Sequence, residues 1–170
     1  MIYKWIGAVL VVAGCTGFGF STAAAHKRQE QFLQQLIKAL QLIRWELQYR
    51  LTPLPELCRM AARGCRNPLK EVLRKLAKEL DNQTFPDADG CMAEALKKCG
   101  ELPPGGRRLL RQLGGSLGRF DLPGQLEGLQ SLTEECRQNL QELRSGADVR
   151  LRSYRTLGIC AGISLAILFL

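Results

Sequence analysis

Charge is confined to the middle of this chain. Trp5 to Ala25 and Leu157 to Leu170 carry no Lys, Arg, Asp or Glu, while nearly every ionisable side chain lies between them. An uncharged run of that kind can satisfy its backbone in lipid by coiling into a helix. The first run has 21 residues, and as a helix it covers roughly 30 Å, the thickness of a bilayer's hydrocarbon core. The second has 14, or about 21 Å of helix. It must therefore start at the interface with Tyr154 and a snorkelling Arg155, or thin the bilayer locally. The organisation expected is all-α: a transmembrane helix in 1–25, a cytoplasmic helical bundle in 26–155 and a transmembrane helix in 156–170.

Orientation follows from the basic residues that flank the apolar ends. Lys4 alone precedes the first, whereas Lys27 and Arg28 follow it at once; Arg150, Arg152 and Arg155 precede the second, and nothing basic follows it. Both ends place the middle in the cytoplasm and the two termini outside. Val12, Ala13, Gly14 and Cys15 also resemble a lipoprotein cleavage box. Ten uncharged residues after Cys15, followed by His26, Lys27 and Arg28, favour the second half of a span instead.

The seven cysteines include no CxxC pair, and Cys58 with Cys65, like Cys91 with Cys99, are seven or eight apart in helical text. Each pair shares a helix face without the geometry of a bridge, so buried thiols in a reducing compartment are expected. His26 is the single histidine and is remote from them in sequence, which argues against zinc; no metal or other cofactor is expected. A net charge of +8 invites a nucleic-acid partner. Basic residues interleaved with Glu and Asp in helical runs, with few aromatics, oppose it. The surplus suits a domain held close to anionic headgroups.

Helical periodicity runs almost throughout. Leu33, Leu36, Leu40, Ile43 and Leu47 alternate steps of three and four, with no Pro back to the first apolar run, so the first helix continues into the bundle. It ends near Tyr49 to Leu51, where Thr52 and Pro53 offer an N-cap and N1 pair for a short helix stopping at Gly64. Asn67 and Pro68 repeat that signal before Leu69, Val72, Leu73, Leu76 and Leu80. A further helix is expected over about 90–99, although Gly90 stands where a bulkier residue would be expected. Pro103, Pro104, Gly105 and Gly106 make the strongest break, and from Arg107 a helix carries Leu109, Leu110, Leu113 and Leu117. Asp121 can cap the last helix, with Pro123 in its first turn. Its stripe of Leu126, Leu129, Thr133, Cys136, Leu140, Leu143 and Ala147 runs on towards the second apolar end.

The first and last helices are thus expected to form a long antiparallel pair, with the shorter helices packed on it. Ala13, Gly17, Ser21 and Ala25 place a small residue at every fourth position, and Gly158 with Gly162 makes a GxxxG step. Both patterns suit packing of membrane helices, though small residues are also common in such helices generally. Catalysis finds no foothold: there is no phosphate-binding glycine loop and no Ser, Cys or His in a recognisable catalytic frame.

Leu113, Gly114, Leu117, Gly118, Asp121 and Gln125 spell L-G-x-x-L-G-x-x-D-x-x-x-Q, which resembles the signature of the stage III sporulation protein AB family of endospore-forming bacteria. Ala39, Leu40, Leu42, Glu46, Tyr49, Thr52, Pro53 and Leu54 are similar to a second stretch of that family. Tyr154, Arg155, Leu157, Gly158 and Gly162 resemble its C-terminus. The resemblance implies a non-enzymatic mother-cell membrane component of the channel complex between mother cell and forespore, similar to the inner-membrane platform proteins of secretion systems. It further implies as partners a cytoplasmic secretion-type ATPase, stage III sporulation protein AA, and other membrane proteins of the complex, with homo-oligomers left open. A membrane-tethered structural adaptor or lipoprotein unrelated to a motor is the alternative. The corner made by Gly118, Asp121 and Gln125 reads equally as a structural elbow and as a surface that touches a partner.

Overall fold

A computed structural model describes the backbone of 2–50, 52–83, 85–118 and 121–169, with side chains described only within 25–145. The described residues form six helices and no strand: α1 (Ile2–Tyr49), α2 (Leu54–Arg63), α3 (Leu69–Asp81), α4 (Ala88–Lys97), α5 (Gly106–Ser116) and α6 (Leu122–Phe169). The all-α expectation holds. Among the described residues no helix is long and apolar enough to cross a membrane. The apolar ends, with Ala13, Gly17, Ser21, Gly158 and Gly162, lie outside the side chains described.

The first and last helices have 48 residues each and pack against one another. Their pairing is antiparallel, since Arg144 on α6 donates through Nε to Glu30 Oε1 of α1 at 2.9 Å, whereas Gln41 and Arg44 share a groove with Glu127 and Gln130. The stripe that periodicity assigns to α1 is the buried one: Leu33, Leu36, Leu40, Ile43 and Leu47 all lie in the core. From α6 it meets Leu129, Leu132 and Cys136, with Leu126 and Leu140 half-buried at its margins. Each fully buried leucine contributes about 1.5–3 kcal/mol relative to an exposed one, so this seam is the packed spine of the bundle.

Helices α2 to α5 close over the spine, with α2 against α3, α3 against α4, and α4 against α5. Two of the connecting turns lie beside α1 at Gln29 and Gln35. The backbone N–H of Arg66, between α2 and α3, donates to Gln35 Oε1 at 2.7 Å, and Gln29 Nε2 donates to the carbonyl of Pro104, between α4 and α5, at 3.3 Å. The starts of α2 and α4 and the end of α5 belong to the other end, where the Cβ position of Gly118 lies beside Leu54 and Ala88. The bundle therefore has a base, where α1 enters and α6 leaves, and a tip.

Several helix starts differ from the sequence reading, each for a local reason. Thr52 caps no helix: α2 begins at Leu54 with Pro53 in the cap position and no side-chain cap bond. The Thr52 hydroxyl donates to Glu46 Oε2 at 2.9 Å instead, because a buried carboxylate is a stronger acceptor than a cap is a need. Nor does the Asn67 side chain cap α3, whose cap position is Pro68. Helix α4 starts earlier than expected, at Ala88, because Asp87 is extended and its Oδ1 accepts from the Gly90 N–H at 3.1 Å. Asp121 does cap α6, accepting from the Gly124 N–H at 3.3 Å.

Candidate functional site

The two motif stretches, about seventy residues apart in sequence, meet at the tip. Gly118 has φ +74, a left-handed conformation that costs most L-residues roughly 1–2 kcal/mol. That conformation turns the chain out of α5. A Cβ built on Gly118 would lie 3.5 Å from Leu54 Cδ1 and 3.9 Å from Ala88 Cβ. Leu54 of the first stretch, Gly118 of the second and the start of α4 thus share one small volume. Leu117, just before the turn, is 1% exposed and joins the core. Asp121 follows as the α6 cap, its carbonyl accepting from the backbone N–H of Gln125 at 3.0 Å.

Gly114 solves a different problem. A Cβ there would sit 2.7 Å from Met92 Cβ and 3.3 Å from the Ala88 carbonyl, so α4 and α5 approach more closely than any side chain at this position allows. Gly90 is constrained too, since its Cβ would meet Asp87 Oδ1 and Phe85 Cβ at 2.8 Å each. The bulkier residue expected at Gly90 is therefore excluded by the cap itself.

On the α1 side of the tip, Glu46 is 4% exposed. It accepts from Thr52 and lies 3.8 Å from Arg50 Nη1. This bond pins the chain reversal between α1 and α2, with Pro53 and Leu54 following. Tyr49 points out, 65% exposed, beside Trp45 at 48%. Their rings stand 5.7 Å apart, and the Arg50 guanidinium lies 5.4 Å from the Trp45 ring centre. Sequence reasoning singled out Tyr49 and Thr52 and missed Trp45 and Arg50. A helical face on which Trp45 and Tyr49 fall one turn apart, opposite the leucine stripe, was the available signal.

The described cysteines, Cys58, Cys65, Cys91, Cys99 and Cys136, are free and buried, as the sequence reading expected. Burial pushes the Cys58 thiol up to about 12, only partly offset by Arg59. Burial also carries Cys136 to about 12, with Glu135 adding to the effect. Cys65 and Cys99 are raised by the same loss of solvent. These thiols stay protonated and behave as small apolar groups. Among the described residues no cluster of His, Cys, Asp or Glu could hold a metal ion.

What the fold defines is a class: an all-helical bundle built on two very long antiparallel helices, its conspicuous residues gathered at the tip around two close-packed glycines and a buried carboxylate. Residues 4–170 match the family model for stage III sporulation protein AB, and the chain belongs to that family. It is 24% identical to the stage III sporulation protein AB of Bacillus subtilis (strain 168) over 170 residues, covering 98% of this chain and 99% of the relative. A solved structure of a stage III sporulation protein AB superposes with a TM-score of 0.64 at 22% identity, covering 72% of this chain and 98% of that one. At that identity the superposition speaks for the fold.

Proposed function

We propose that this chain is a non-enzymatic membrane component of the sporulation channel complex between mother cell and forespore. In this reading it is a platform that couples a cytoplasmic secretion-type ATPase, stage III sporulation protein AA, to the forespore-facing membrane of the mother cell. The bundle sits in the cytoplasm, the apolar ends 1–25 and 156–170 cross the bilayer, and both termini lie outside. The carrying observation is the antiparallel spine: each 48-residue helix runs unbroken from the tip into an apolar end. Buried leucines and the Glu30–Arg144 bond tie the two together. A load applied at the tip is transmitted along such a pair with little loss, because packed helices resist compression.

The tip is the face offered to the ATPase. Trp45 and Tyr49 are exposed aromatics with Arg50 beside them, and aromatic residues and Arg are the types enriched at protein interfaces. The full-length chain, extracted in mild detergent, should co-purify with stage III sporulation protein AA. The Trp45→Ala/Arg50→Glu variant should lose the partner while keeping its helical circular dichroism. Absence of any crosslink between the two proteins in intact sporulating membranes would sink the platform reading and leave a tethered adaptor.

A further inference from the structure

The charges of the bundle are unevenly distributed along its axis, although Arg50 and Lys78 stand among the carboxylates of the tip and Glu71 and Glu101 among the cations of the base. At the tip lie Glu56, Asp81, Asp87, Asp89 and Asp121, with Arg59 already committed to Asp81. At the base the balance reverses. Lys27 and Arg28 on α1, Arg63, Arg66 and Lys70 around the α2–α3 turn, and Arg107 at the start of α5 make no ion pair among the described residues. All but the half-buried Lys70 are exposed.

Their placement follows from contacts already given. Arg28 and Arg66 line one open groove of about 680 Å³ with Ala25 and Pro104, and a Cβ built on Gly106, next to Arg107, would lie 3.1 Å from the Phe32 ring. Glu101 is the single carboxylate in that groove. Glu30, nearby on α1, is taken by Arg144. A surface this rich in unpaired cations, left without internal partners, costs self-repulsion unless an external anion meets it.

We infer that the base is a docking surface for anionic phospholipid headgroups, with Arg28, Arg66, Lys70 and Arg107 as its contacts. This rests on the reading that the apolar run ending at Ala25 enters the bilayer, and it adds which lipid the bundle selects. The argument for lipid over an acidic protein is position. Arg28 and Arg66 share a groove with Ala25, the last residue of the uncharged 21-residue run, and Lys70 and Arg107 lie on the turns beside it, so the side they face is the side on which that run meets headgroups. Charge segregation then orients the bundle upright, cations down and carboxylates away.

The test uses the full-length chain in lipid nanodiscs, read by amide hydrogen exchange of peptides covering 25–31, 63–70 and 103–108. Replacing phosphatidylcholine by a mixture with phosphatidylglycerol should slow exchange in these peptides about fivefold or more at low salt. The effect should shrink at high salt, because screening shortens the reach of surface charge. Arg28→Gln/Arg66→Gln/Lys70→Gln should erase the lipid difference, whereas Arg50→Gln at the tip should keep it. Equal exchange in both lipids, by a chain that resists carbonate extraction from native membranes, overturns the docking surface and spares the anchor. Release by carbonate overturns both. Protection by added polyglutamate in pure phosphatidylcholine discs, with none from phosphatidylglycerol, assigns the surface to an acidic protein instead and overturns the lipid inference.

Discussion

The tip and the base are made from the same helices and solve opposite problems. At the tip polar groups are tied down: Glu46 holds Thr52, Asp87 and Asp121 hold backbone N–H groups, Gly114 admits a contact that no larger residue would, and Gly118 takes a left-handed turn. At the base Glu30 is held by Arg144, but Lys27, Arg28, Arg63, Arg66 and Arg107 stand exposed with no ion pair among the described residues. The difference teaches where stability ends and interaction begins. The buried tip residues hold the bundle by packing, so changing them should destabilise it, while the exposed Trp45 and Arg50 of the tip and the cations of the base contribute little to folding and should matter only when something binds.

The thiols of the interior between the two regions set the reference. With Cys58 and Cys136 pushed to about 12 from an ordinary 9.0, their thiolates near pH 8 should be about a thousandfold scarcer than in the unfolded chain. Alkylation of the native protein should be correspondingly slow, speed up as pH rises towards that value, and become fast in denaturant; mass spectrometry of labelled peptides reads this. Rapid labelling of Cys136 in the native state would show that the spine opens.

Within the tip, Leu117→Ala should destabilise by about 2–5 kcal/mol, the range for a fully buried leucine, as measured by denaturant unfolding in detergent. Gly114→Ala should cost about 1–3 kcal/mol, because its methyl drives α4 from α5. A Gly114→Ala protein as stable as the parent would mean the helices can slide apart without penalty, and the close approach would lose its meaning. Thr52→Val keeps the shape and removes the donor to Glu46, so it should cost about 1–3 kcal/mol through an under-satisfied buried carboxylate. At the base, Arg66→Gln should change unfolding stability by no more than about 0.5 kcal/mol, as exposed substitutions usually do. A large loss there would collapse the distinction between the two ends.

Much of the fold was legible because helices advertise themselves by period. The α1 stripe from Leu33 to Leu47, the Gly64 stop, the break at Pro103–Gly106 and the Asp121 cap all hold in the structure. Legibility failed where a residue's partner is distant in sequence or competes with a local rule. Thr52 reads as a cap until Glu46 is seen buried beside it, and Gly90 reads as out of place until Phe85 and Asp87 close over it. The candidate site was half visible: its motif residues stood out, but nothing in their spacing said that Leu54 would meet Gly118.

The sequence by itself determined the helical class, the order of helices and the confinement of charge between two apolar ends, because periodicity, caps and composition are local properties. Only the tertiary structure decided which ends of which helices share a surface. Turn placement follows from how amphipathic faces pack, and it sends Arg28, Arg66 and Arg107 to one pole and Glu56, Asp87 and Asp121 to the other. That sorting of charge joins residues far apart along the chain, so no window of sequence contains it.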